Sequence, residues 1–151
     1  MVQPKPIAID SLTEDVLGRY SQELKSKRIR LDKELASLTA RVFPKFIDSA
    51  VGQLIENAIE ATSPGGELNI TLIDGDDCWE LEIADSPYEE FPRDQPIENG
   101  NRNSPLEQSR MEVVRRAAVV HGGKIQTWEC PQGGIANVLV IPRRQETNKA
   151  A

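Results

Sequence analysis

Cysteine, histidine, basic charge and long apolar runs are all in short supply in this sequence, and each shortage removes a class of explanation. The only cysteines are Cys78 and Cys130, and the only histidine is His121. That set argues against a Cys/His zinc site, and two isolated thiols in strand-like stretches suit a reducing compartment better than a disulfide framework. No apolar run approaches the roughly 20 residues that span a bilayer. The opening Met1-Val2-Gln3-Pro4-Lys5-Pro6 lacks the apolar core of a signal peptide, so the expectation is a soluble, cytoplasmic protein without membrane insertion. Lys and Arg total 18 against 24 for Asp and Glu, a formal charge of -6, which repels a phosphate backbone and speaks against nucleic acid as a partner.

What is present fits one domain over the 151 residues, with its core at about 7–143 and a polar, flexible tail over 144–151. Leu12, Val16, Tyr20 and Leu24 recur at helical spacing from Ser11 to about Lys27, with Ser11 or Asp10 available as the cap. A half-exposed strand follows at Ile29 to Leu35. Pro44 opens a second helix, lined on one face by Ile47, Val51, Leu54 and Ala58 and stopped by Ser63-Pro64-Gly65-Gly66. Leu68, Ile70 and Leu72, then Trp79, Leu81 and Ile83, alternate with polar neighbours across Asp74-Gly75-Asp76-Asp77, a β-hairpin pattern.

From Asp85 to Ser104 periodicity is lost in a long loop containing Pro87, Pro92 and Pro96. Its Tyr88, Glu89, Glu90 and Phe91 suit either a partner-docking segment or a merely mobile one. Ser104-Pro105-Leu106-Glu107 reads as the start of a third helix with a capping box, ended by Gly122-Gly123. Two strands, Lys124 to Cys130 and Ile135 to Ile141, flank Pro131-Gln132-Gly133-Gly134. Strand pairs adjacent in sequence, with helices apart from them, predict an α+β fold: a two-layer sandwich of about five strands in a mixed sheet with three helices on one face.

The helix Gln53-Leu54-Ile55-Glu56-Asn57-Ala58-Ile59-Glu60-Ala61-Thr62, its Pro-Gly-Gly stop, a hairpin ending in Asp85, and Val120-His121-Gly122-Gly123-Lys124-Ile125 before Gly133-Gly134 stand in a telling order. Over about Ile7 to Arg143 that order resembles the histidine-kinase-like ATPase domain of the GHKL, or Bergerat, superfamily. The resemblance implies a Bergerat fold and an ATP site with magnesium. Asn57 would hold the magnesium ion and Asp85 would accept the adenine amino group, roles suited to an amide oxygen and a strand-end carboxylate. Gln53, one turn before Asn57, falls where related ATPases place a glutamate base, and a glutamine cannot take a proton. Ala61 and Arg110 complete the implied nucleotide-contacting set. Asn57 alternatively serves a structural role on its helix, Asp85 alternatively ends a strand at a turn, and Arg110 with Arg115 and Arg116 forms either a phosphate clamp or a solvated face.

The departures from the family pattern are concentrated on ligand-contacting positions. The run Asp85-Ser86-Pro87-Tyr88-Glu89 has proline and glutamate where the family has the glycines of Asp-x-Gly-x-Gly. The Gly-x-Gly-Leu helix opening falls on Gln108-Ser109-Arg110-Met111, without its anion-binding glycines, and the adenine-side threonine and aromatic fall at Ile135 or Ala136 and at Asn137. His121 sits in a helix-ending turn, and the helical hairpin that carries the family's phosphoacceptor histidine is lacking, so this chain alone is not expected to autophosphorylate. The resulting expectation is a pseudokinase-like module of two-component signalling that binds ATP weakly or not at all and works through a signalling partner, either a histidine-containing kinase domain or a receiver domain. Two alternatives accompany it: a genuine Mg-ATP-binding catalytic domain acting on a histidine in a separate domain or partner, and an anti-sigma-like or phosphotransfer-adaptor protein.

Overall fold

The computed structural model describes residues 3–86, 105–130 and 133–143. In chain order its elements are β1 (Lys5–Ala8), α1 (Ile9–Arg19), α2 (Ser21–Ser26), β2 (Arg30–Leu35), β3 (Thr39–Val42), α3 (Pro44–Ala61), β4 (Glu67–Asp74), β5 (Cys78–Ser86), α4 (Pro105–Val120), β6 (Lys124–Glu129) and β7 (Ile135–Pro142). The five strands expected from period-two alternation form one sheet in the order β2-β4-β5-β7-β6. β2 runs parallel to β4 and every other pairing is antiparallel, which makes the sheet mixed.

Alternation sends Leu68, Ile70, Leu72, Trp79, Leu81, Ile83, Leu139 and Ile141 into one core. The helices close that core from the same side, with Ile47, Val51, Leu54 and Ile55 of α3 fully buried. The chain is thus the expected α+β sandwich. No helix among the described residues is long and apolar enough to cross a membrane.

Three details differ from the sequence expectation. The first expected helix is two helices, because Tyr20 leaves helical geometry at φ -107 and ψ 12. Gly18 and Ser21, poor helix formers, flank this break, which lets Leu24 turn inward independently of Val16 and Leu17. Neither Ser11 nor Asp10 caps α1, which begins at Ile9 straight out of β1 without a side-chain cap. The Ile9 N–H bonds the Leu38 carbonyl at 2.8 Å, and the Asp10 carboxylate instead accepts the Leu38 N–H at 3.3 Å. Finally, β1 and β3 form a separate two-stranded antiparallel sheet, pairing Lys5 with Val42 and Ala8 with Thr39. The helix expected at Pro105 begins there, while the loop with Tyr88 and Phe91, the Ser104 cap, the Pro131-Gln132 turn and the 144–151 tail lie outside the described residues.

α3 is held at both ends. Pro44 sits at its first turn, where a missing N–H costs nothing. At the other end the Lys27 ammonium donates to the carbonyls of Ile59 at 2.6 Å, Glu60 at 3.2 Å and Thr62 at 2.8 Å. A cation on those orphan carbonyls complements the negative end of the helix dipole. Replacing Lys27 by Met keeps the apolar stem and removes the donors, so Lys27→Met is expected to cost about 1–2 kcal/mol of stability in urea denaturation, whereas Lys25→Met, on the neighbouring exposed turn, should be near neutral.

Candidate functional site

Most of α3 is apolar and inward-facing; Asp48 pairs with Arg19 of α1 near its start, and Glu56, Asn57 and Glu60 lie on the edge that meets α4. Asn57 breaks the buried row between Leu54 and Ala58 and is itself 8% exposed. Gln53 stands one turn earlier, half-buried, and Ala61 is the half-buried last residue of the helix. Across the gap, α4 buries Val114, Ala117 and Ala118 and turns Arg110 toward α3. The Arg110 side chain is only 12% exposed.

Arg110 organises this edge. Its Nη1 donates to Asn57 Oδ1 at 3.2 Å and to Glu60 Oε2 at 2.5 Å, its Nη2 donates to Glu60 Oε1 at 3.1 Å, and its Nε lies 3.6 Å from Glu56 Oε2. The two-pronged contact with Glu60 is the geometry that suits a guanidinium and a carboxylate. It holds the Glu60 carboxyl below its ordinary pKa, chiefly through the hydrogen bond from Arg110 and against the opposing effect of burial. The same hydrogen bond raises Arg110 further. Tyr20 stands near this group, and its hydroxyl is raised mainly by burial and then by the negative charge of Glu56.

With its oxygen turned to Arg110, the Asn57 amide leaves Nδ2 buried without a hydrogen-bond partner. A buried unsatisfied donor is a standing cost. Asn57 Oδ1 is the type of hard oxygen that ligates magnesium, and here it already accepts from a cation. Arg115 pairs instead with Glu112 on its own helix at 2.9 Å. Among the described residues, no group of three or more His, Cys, Asp or Glu side chains is arranged to hold a metal ion.

The second half of the site is the junction of β5 and β7. Asp85 is 3% exposed on the helix-facing side of β5, and its Oδ1 accepts the Ile135 N–H at 3.1 Å. Gly134 passes so close that an added Cβ would sit 2.0 Å from the Asp85 carbonyl oxygen and 3.0 Å from Asp85 Oδ1, and its φ of +88 disfavours other residues independently. Asp85 therefore fastens the start of β7 to the end of β5. Asn137 faces β6 and accepts a hydrogen bond from the Thr127 hydroxyl at 2.7 Å.

His121 lies in the turn after α4, buried. Its Nε2 accepts the Phe43 N–H at 2.9 Å and its Nδ1 faces the Ala117 carbonyl at 2.7 Å, which defines the neutral tautomer with the proton on Nδ1. Phe43 also meets the imidazole ring edge-on. The imidazole thus ties the start of α3 to the end of α4.

Of the residues named from sequence, Gln53, Asn57, Ala61, Asp85 and Arg110, the structure brings Asn57 and Arg110 together, and Glu56 and Glu60, not named there, join them. Their signal is faint: two carboxylates four residues apart on the rim of an apolar helix look like ordinary solvated charge. Only the packing of α4, some 50 residues later, gives them a partner.

No protein-family model matches the chain, and no curated protein matches it. Solved structures do. The catalytic domain of histidine kinase ThkA, in a nucleotide-free form, aligns with a TM-score of 0.77 at 20% identity, covering 95% of this chain and 99% of that one. A mycobacterial sensor histidine kinase, MprB, gives 0.75 at 21% identity over 93% and 98% of the two chains. ThkA in complex with the response regulator protein TrrA gives 0.73 at 19% identity over 93% and 42%. At these identities the likeness is one of fold, and the fold is that of histidine kinase catalytic domains.

Two measurements check this description. Asn57→Leu removes the orphan donor and one hydrogen bond at nearly constant volume, so its stability should match or exceed wild type, against a loss of about 2 kcal/mol or more for Asn57→Ala, which also opens a cavity. Because the folded-state pKa of Glu60 is depressed, the Arg110 bridge contributes fully above the ordinary glutamate value of about 4.3 and is lost as pH falls through the lower folded value. The stability difference between wild type and Glu60→Gln should therefore be flat from pH 7 to pH 5, within about 1 kcal/mol for so exposed a carboxylate, and shrink toward pH 3.

Proposed function

We propose that this chain is a histidine-kinase-like module of two-component signalling whose nucleotide site is degenerate, so that it binds ATP weakly or not at all and acts through protein contacts. The observation that carries the reading is the Arg110 guanidinium on Asn57 Oδ1. A positive charge lies against the oxygen that would have to ligate magnesium, and Glu60 and Glu56 hold it there. A divalent ion at that oxygen would be repelled by the guanidinium or would have to expel it from both carboxylates. The residues present do not fit Mg-ATP.

The other residues support the same reading. Gln53 lacks a basic carboxylate to activate water. The glycine positions that would let backbone amides receive phosphate carry Gln108 and Arg110, and an L residue there leaves no room for a nest of amides. A catalytic alternative finds no comparable support in the site.

ThkA has been captured with a response regulator, and by analogy the partner proposed for this chain is a receiver domain or a histidine-containing kinase domain. Fold analogy supports the class of partner and not its identity.

Calorimetric titration of the purified domain with ATP and a non-hydrolysable analogue, with and without magnesium, decides the matter. Wild type is expected to give no magnesium-dependent heat below about millimolar nucleotide, a binding free energy weaker than about -4 kcal/mol. Micromolar, magnesium-dependent binding that disappears in Asn57→Ala and in Asp85→Ala would reinstate a working kinase site.

A further inference from the structure

The main sheet carries helices on one side only. All four described helices contribute to the core that Leu68, Ile70, Leu81 and Ile83 enter from the sheet, so period-two alternation turns the neighbours of those residues to an uncovered face. There β2 presents Asp32 and Glu34, β4 presents Asn69 and Thr71, and β5 presents Glu80 and Glu82. Glu34 and Glu82 lie opposite Thr71 from its two sides, and Asp32 lies opposite Asn69. Two acidic strands thus flank a neutral one, their carboxylate rows two strand spacings, about 9–10 Å, apart.

This charge is not neutralised from within. Glu34, Glu80 and Glu82 pair with no cation among the described residues, and Arg30 is taken by Glu67, 3.6 Å away. Asp32 has only a neutral neighbour, the Asn69 amide, at 3.3 Å. Glu80 and Glu82 are half-buried, and an unpaired carboxylate partly withdrawn from water is costly. A cation brought from outside relieves that cost.

An acidic surface alone is usually just solvated charge, and Trp128 supplies the independent sign. It lies on β6, on this same face, and is 47% exposed. Its row across the sheet continues through Ala136 and Ala84, which are buried but stand apart from the main core. Tryptophan beside a shelf of small residues is the kind of anchor that dominates protein interfaces. Ile73 of β4, also on this face, is 45% exposed and offers a second apolar contact.

We infer that the open face of the sheet is a docking surface for a cationic, amphipathic segment of a partner protein. The segment's apolar side chains seat on Trp128 and the shelf of Ala84 and Ala136, and its lysines or arginines lie over Glu80, Glu82 and Glu34. Two copies of this face repel each other, as does any phosphate-bearing partner, so a basic protein segment is the occupant that the charge selects. The inference rests on the reading that the domain works through protein contacts, and adds where the contact is made and with what chemistry.

The probe is a synthetic amphipathic helical peptide of lysine and leucine, titrated without nucleotide at about 0.15 M salt and followed by tryptophan emission. Trp79 is 1% exposed, so Trp128 dominates the response. Wild type is expected to bind with a blue shift. Glu80→Lys with Glu82→Lys should weaken binding at least about tenfold. Asp15→Lys with Glu23→Lys makes the same change in net charge on exposed helix positions and should alter binding less than about twofold. Trp128→Phe should abolish the shift and leave weaker binding visible by calorimetry. If the lysine pair on β5 does not fold, Glu80→Gln with Glu82→Gln is read in the same way. Equal weakening by the two double variants overturns the inference, because the peptide then senses only net charge. Binding that leaves the emission of wild type unchanged overturns it too, as does the lack of any binding below about millimolar peptide. With nucleotide absent throughout, such a failure leaves the reading of a degenerate ATP site standing, and that reading fails separately if ATP binds at micromolar strength.

Discussion

A helix buried along most of its length can carry polar groups only at its margins, and α3 is such a helix. Its apolar stripe from Ile47 to Ile59 faces the sheet and α1, which leaves Glu56, Asn57 and Glu60 on the rim beside α4. Two carboxylates and a buried amide oxygen on one rim offer acceptors to a cation, and Arg110 takes them from the facing helix. The position of α4 is thereby coupled to the chemistry of α3, with His121 adding a second tie between the two helices through the Phe43 N–H. Sheet burial fixes α3, α3 fixes the charged rim, and the rim draws in Arg110.

How much of this was legible in the sequence depended on the distance over which each feature is encoded. The five strands of the main sheet follow from local alternation, and each face is decided by residues such as Leu68, Ile70 and Leu72 that the reader meets within one strand. β1 and β3 carry no comparable signal. Each has four residues, β1 includes Pro6, and their pairing joins residues 5 and 42, so only the tertiary fold reveals them. The break at Tyr20 is similarly hidden, because Leu12, Val16, Tyr20 and Leu24 keep helical spacing straight across it. In the site, Asn57 was legible since a polar residue interrupting an apolar face is a local anomaly. Glu60 was not, because its meaning comes from an arginine 50 residues away.

The β5–β7 junction shows the same division. Gly133-Gly134 reads as a turn in sequence, but the reason for Gly134 is three-dimensional: a Cβ would collide with the Asp85 carbonyl. Asp85 reads as either a ligand residue or a strand terminator; in the structure it lies within β5, which continues to Ser86, and its Oδ1 accepts the Ile135 N–H. The carboxylate that would have to select a base is therefore also a clamp between strands.

These two halves together change what a ligand would have to do. In an open site the amide of Asn57 and the carboxylate of Asp85 would face water, which a ligand displaces at little net cost. Here each already has an internal partner with a hydrogen bond of ordinary length. Displacing the Asn57 bond at about 1 kcal/mol net weakens affinity roughly fivefold before any contact is counted. Freeing Asn57 also means moving a guanidinium that Glu60 grips with two oxygens. The internal bonds thus act as competitors that are always present at the site. The Arg110 contact joins α3 to α4 and at the same time opposes a ligand, so stability and ligand affinity are set against each other at Asn57.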